Sequence, residues 1–214
     1  MVCDALNLRR AVLAVALAAA FLPYSHAGEI SGTLSFVKKP PSVVLVYMAD
    51  DTGADKGKKR KLDQKDQQFT KKMLVAPKGS KISFINSDNT DHNVYAADTD
   101  AGADFDIGLA PPGSTIDQEV NWAENAVIRV GCKIHPKMRA YVATVDSRYN
   151  QVLELDRTKQ DHTFALEVPD TVTLVRVWLP NYEPVEFTLE KGGEHKVDLI
   201  KKGKVYGTLT VSRK

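Results

Sequence analysis

The nine residues Val130-Gly131-Cys132-Lys133-Ile134-His135-Pro136-Lys137-Met138 place a thiol, an imidazole and a thioether within seven positions of chain. A tight turn between two strands can aim all three at one point. Forty residues before Cys132, the stretch Asn86-Ser87-Asp88-Asn89-Thr90-Asp91-His92-Asn93-Val94 ends a strand and loop on a second imidazole. One thiolate, two imidazoles and a weak axial thioether form the donor set that suits a type 1 copper ion. The soft thiolate of Cys132 would stabilise Cu(I) and give an electron a covalent path, His92 and His135 would serve both oxidation states, and Met138 would tune the potential from a long axial position. Zinc is the rival metal, but structural zinc sites favour tetrahedral Cys/His sets and seldom use methionine. Taken singly, each residue has a plainer reading: Met138 a core side chain, His92 a hydrogen-bonded histidine, Cys132 an inert buried thiol. The combination is what points to a single copper ion.

The only other cysteine, Cys3, lies in a leader. Residues 1–27 carry Arg9 and Arg10, an apolar run from Ala11 to Leu22, and Ser25-His26-Ala27, the small-x-small pattern that a signal peptidase cuts after. The run would make about 18 Å of helix against a hydrocarbon core of about 30 Å, so it reads as a signal peptide cleaved near Ala27. No lipobox cysteine follows it. The expected product is a periplasmic protein with no membrane span after cleavage and one cysteine, Cys132. A lone thiol in an oxidising compartment pairs between chains, oxidises, or is protected by a metal.

The elements that must position these groups read as strands. Beyond residue 28 long helical periodicity is absent, and short alternating or wholly apolar runs recur between Gly, Pro, Asn and Asp clusters. Ile30 to Phe36 alternates and Val43 to Met48 is continuously apolar. Further strands are expected at 73–75, 81–86, 92–95, 115–120, 126–131 and 139–145, then at 164–168, 172–179, 185–189, 196–199 and 205–211. This is an all-β pattern of sandwich type. The expected division is a metal-binding sandwich over residues 28–148 and a second, smaller β-domain over 149–214. Residues 50–72, with Lys56, Lys58, Lys59, Arg60 and Lys61, read as a charged insertion or solvated loop. The acidic run Asp98, Asp100, Asp104 and Asp106 lacks the central glycine and terminal glutamate of an EF-hand loop and also reads as solvated. Trp122 and Trp178 are expected core anchors, and His162 and His195 stand isolated.

Phe84-Ile85-Asn86 leading to His92-Asn93-Val94, and Cys132-x-x-His135-Pro136-x-Met138 leading to Ala140-Tyr141-Val142, resemble the plastocyanin/amicyanin branch of the cupredoxins over about residues 70–146. The short ligand loop with Pro136 after the histidine is most similar to amicyanin. Leu62-Asp63-Gln64, Phe69, Phe105-Asp106-Ile107-Gly108 and Val175-Arg176-Val177-Trp178 extend the resemblance to exported cupredoxin-like proteins labelled methylamine utilization proteins. In those, a carboxypeptidase-regulatory or transthyretin-like β-domain follows a Greek-key copper domain. The resemblance implies that His92, Cys132, His135 and Met138 are the copper ligands, and that Asn93 bridges the two ligand loops with its backbone N–H toward the thiolate. Two departures stand out. Lys133 occupies the place of the hydroxyl residue that Asn93 would meet. Ile134 occupies the place of a proline and restores a backbone N–H near the sulfur, which would favour Cu(I) and raise the potential above that of a site with proline there.

The chain has 29 basic and 27 acidic residues and a net charge of +2, so a broad electrostatic grip on nucleic acid is excluded. No nucleophile elbow or phosphate-binding glycine loop occurs, and a saturated copper site offers a substrate no open position, so no enzyme is expected. The expected function is one-electron transfer by Cu(I)/Cu(II) cycling, with His135 as the exit. Lys133, Lys137 and Arg139 would steer an acidic redox partner, such as a c-type cytochrome or a dehydrogenase. Two alternatives use the same residues: copper storage, delivery or sensing, and an interaction module with a structural copper.

Overall fold

The computed structural model describes residues 27–214, which form seventeen β-strands and no helix. The all-β expectation is met. The signal-peptide reading falls, apart from Ala27, outside the described residues. No helix among them is long and apolar enough to cross a membrane.

The strands build four sheets. The chain begins in β1 (Ala27–Phe36) and β2 (Val43–Met48), which belong to two different sheets. It then makes β3 (Arg60–Lys65), β4 (Gln68–Phe69), β5 (Met73–Val75), β6 (Lys81–Asn86), β7 (His92–Asp98), β8 (Ala103–Ala110), β9 (Thr115–Glu119), β10 (Val127–Gly131) and β11 (Arg139–Ala143). These nine strands form the sheets β5-β11-β10-β7-β8 and β4-β3-β6-β9. The chain returns as β12 (Asn150–Glu154), β13 (Asp161–Pro169), β14 (Leu174–Trp178), β15 (Val185–Thr188), β16 (Glu194–Lys201) and β17 (Lys204–Arg213). These join the first two strands in the sheets β13-β1-β17-β16 and β12-β2-β14-β15.

This corrects the expected division of the chain. Residues 27–48 belong with the C-terminal strands: β1 lies between β13 and β17, and β2 between β12 and β14. The unit that carries His92, Cys132, His135 and Met138 is therefore an insertion. It occupies the position of a hairpin turn between β2 and β12, whose antiparallel register puts Tyr47 opposite Asn150. Local patterning identified the strands, but their partners lie more than a hundred residues away.

The core is layered, and β2 explains why. All six of its residues are buried. Val44, Val46 and Met48 enter the core of the outer sandwich with Leu34, Val175 and Leu209. On the opposite face, Val43, Leu45 and Tyr47 pack with Met73, Ala143 and Val145 of the inserted unit. A strand covered on both faces reads as a continuous apolar run. Strand β11 plays the same part from the other side: Ala140 and Val142 face the inserted unit's own core and Tyr141 and Ala143 face the seam. Trp178 of β14 meets Tyr141 edge-on across this seam, with ring centroids 4.9 Å apart. The four sheets thus stack with three apolar interfaces between them.

Two stretches expected to be solvated are strands. In β3 the pattern Arg60, Leu62, Gln64 inward and Lys61, Lys65 outward has period two, which the lysine-rich composition hides. The Arg60 side chain is buried because it donates to the carbonyls of Val75, Lys58 and Asp55. In β8, Asp104 and Asp106 alternate with Phe105 and Ile107, which pack on the core. Phe105 stacks between Trp122 and Phe84, at 5.6 and 6.2 Å.

Candidate metal centre

His92 begins β7 and must be presented inward by the loop that follows β6. Asn86 fixes that loop. It is fully buried, its amide donates to the carbonyls of Thr90 and Ala110, and its Oδ1 accepts the N–H of Asp88. Strict alternation would then expose Asn93, yet His92, Asn93 and Val94 are all buried. A register shift between Asn93 and Tyr95 opposite β8 makes this fit, a bulge that re-aims side chains beside the site.

Cys132 follows β10 and Met138 precedes β11, so the ligand loop is the turn of one antiparallel pair. Within it, the Met138 N–H donates to the carbonyl of His135. Gly131 packs against Tyr95, and a β-carbon there would lie 3.2 Å from that ring.

These elements bring His92, Cys132 and His135 together, with one donor atom from each within 4.8 Å of the others. The Nδ1 atoms of His92 and His135 face each other at 3.0 Å, and the Cys132 sulfur lies 3.7 Å from His135 Nδ1. His92 and Cys132 are buried and His135 is half-buried. Met138 is buried in the same apolar cluster as Cys132. Pro136 and Ile134 are exposed, Ile134 by 51%.

Asp88 sets the chemistry of His92, and its role was not foreseen. Its carboxylate accepts a hydrogen bond from His92 Nε2 at 2.9 Å. With the proton held on Nε2, the tautomer leaves a lone pair on Nδ1, aimed into the cluster. The N–H of Gln67, the His92 bond and the N–H of Asn89 hold the Asp88 carboxyl down at about 2, so it is ionised at neutral pH. The signal was present in the sequence as an aspartate four residues before the histidine.

The two loops are bridged, by a different bond from the one the resemblance implied. Asn93 Oδ1 accepts the backbone N–H of Lys133 at 3.3 Å, so no hydroxyl side chain is needed. The Asn93 amide donates to Asp106 Oδ1 at 2.5 Å and to the Gly108 carbonyl at 3.0 Å. Asp106 Oδ2 pairs with Lys133 Nζ at 2.6 Å, and this bond holds the Asp106 carboxyl below the usual carboxylate range. Asp106, read as part of a solvated run, is thus the hub of the bridge. Lys133 is engaged there, while Lys137 and Arg139 have no ion pair among the described residues.

The donor set fits a soft or borderline transition metal. Two imidazole nitrogens and a sulfur converge in an apolar enclosure, and the nitrogen pair at 3.0 Å accommodates at most one proton between them.

No protein-family model and no curated protein matches the chain. Among solved structures, the chain is similar to a purple cupredoxin from Nitrosopumilus maritimus, at 18% identity and a TM-score of 0.34 over 40% of this chain and 98% of that one. It is similar to amicyanin from Paracoccus versutus at 17% identity and a TM-score of 0.35, over 52% and 96% of the two chains. It is also similar to a copper-containing nitrite reductase from Thermus scotoductus at 18% identity and a TM-score of 0.37, over 46% of this chain and 25% of that one.

Proposed function

We propose that the protein is an exported, periplasmic one-electron carrier of cupredoxin type that holds a single type 1 copper ion on His92, Cys132, His135 and Met138. The observation that carries this reading is the convergence of His92, Cys132 and His135 from two separate loops to within 4.8 Å, in a buried setting. The bound ion would supply reversible exchange between Cu(I) and Cu(II).

The chain's own residues supply the rest. The Asp88 carboxylate orients His92 and holds its proton on Nε2. The links among Asn93, Lys133 and Asp106 keep the two ligand loops in register, so little of the protein need rearrange when the charge at the site changes. Half-buried His135 offers the route for the electron, since the ring of His92 is fully enclosed. Exposed Ile134 in the ligand loop, and Leu109, paired with Asn93 across β7 and β8, provide apolar surface for a redox partner protein. In this reading the protein is a carrier and turns over no substrate.

Titration of the protein with Cu(II) tests this. An intense visible thiolate-to-copper absorption saturating at one equivalent is expected, and Cys132→Ser should abolish it. A colourless wild-type protein overturns the reading. Fast, reversible electron exchange with a redox protein separates it from copper delivery, which instead requires transfer of the ion to an apo-acceptor.

A further inference from the structure

At one edge of the seam between the inserted unit and the outer sandwich lies a cleft of about 500 Å³, a volume typical of small-molecule sites. Its lining is cationic. The inserted unit contributes Lys72, Lys137 and Arg139, and the outer sandwich contributes Lys39, Arg157 and Lys201 from three separate segments. No Asp or Glu lines it, although the chain carries 27 acidic residues.

The six side chains also lack carboxylate partners elsewhere among the described residues. Arg157 donates through Nε to the Pro40 carbonyl, which fixes the guanidinium and leaves its remaining N–H groups available. Lys201 is propped against the ring of Tyr182, with Nζ 5.3 Å from the centroid. Gathering like charges around a concavity is unfavourable unless an anion relieves it, and the field of such a cleft concentrates anions.

We propose that this cleft is a binding site for a small multivalent anion bearing phosphoryl or carboxylate groups. The two guanidiniums offer planar, paired donors matched to either group, and the four ammoniums supply charge from both walls. A ligand seated there would contact both units at once. The proposal goes beyond the copper reading and stands without it, because no metal ligation enters the argument.

Isothermal titration calorimetry on the metal-free protein tests it, with inorganic pyrophosphate in one arm and citrate in the other. Saturable one-to-one binding of at least one anion is expected, and the preferred arm identifies the group recognised. Replacing Lys72 and Lys201 together by Gln should weaken binding about tenfold. Replacing Lys59 and Lys61 together by Gln removes the same two charges from outside the cleft and should change affinity by less than about twofold. The single variant Lys39→Gln, on an exposed connector, should weaken binding measurably and without risk to the core. Absence of saturable binding by the wild-type protein in both arms overturns the proposal. So does equal weakening by the two double variants, which would reduce the effect to net charge.

Discussion

At the scale of single residues, Asp88 has the largest leverage over the candidate centre. It touches none of the other donors, yet it decides which nitrogen of His92 is free. An ionised partner also makes that nitrogen a stronger donor toward the more highly charged oxidation state. Asp88→Asn keeps the shape and removes the charge. It should weaken Cu(II) binding about ten- to a hundredfold, and Cu(I) binding less, so that the potential rises. Competition titrations with chelators of each oxidation state, together with voltammetry, check this; equal losses in both states would remove the tautomer argument. His92, Cys132 and His135, which the fold brings within reach of one another, were picked out from type and spacing alone. Asp88 and Asp106 were not, because each sits in an Asp- and Asn-rich stretch whose composition suits a solvated turn equally well.

At the scale of elements, strand β6 and the loop after it show how the site is held. Asn86 closes that loop with three hydrogen bonds from a position with no solvent exposure. Asn86→Ala would strand buried backbone groups and cost about 1–3 kcal/mol of stability. Urea denaturation should show the loss as a lower midpoint, and an unchanged midpoint would mean that water replaces the side chain. Most strands could be read from alternation, since one face of each meets a core. Four were missed: β3 and β8 alternate too, but with Arg60 and Gln64 as inward residues in one and aspartates outward in the other, while β4 is only two residues long and β12 shows no alternation of burial. The assignment of β1 and β2 failed for a different reason. Which strands pair is settled by contacts distant in sequence, and no local pattern encodes them. The continuous apolar run of β2 did carry a clue, because only a strand covered on both faces can be hydrophobic at every position.

At the scale of the whole molecule, the inserted unit is tied to the outer sandwich by the apolar seam and by a polar clamp where the chain crosses. Asp51 accepts the backbone N–H of Arg148 at 2.6 Å, its guanidinium Nη2 at 2.7 Å, and the hydroxyl of Ser147. Burial pushes the Asp51 carboxyl up, but the bonds to Arg148 and Ser147 outweigh it and hold the group below its ordinary value. A carboxylate with a depressed value stabilises the fold above the ordinary aspartate range and loses that contribution as pH falls through it. Asp51→Asn should therefore cost about 1–3 kcal/mol at neutral pH. The two proteins should converge in acid, as thermal melts across pH can measure; a difference independent of pH would show that the clamp works through shape and not charge.

The hairpin geometry of that crossing has a consequence for how such a molecule can be rebuilt. Entry and exit of the inserted unit sit side by side, with the Gly53 N–H bonded to the Asp146 carbonyl at 2.9 Å. The unit is a guest lodged in a host's turn, and grafting needs only two neighbouring cut points. A foreign module with closely spaced ends could be spliced into the same doorway, and this one moved into another scaffold, with the host's sheets left uncut.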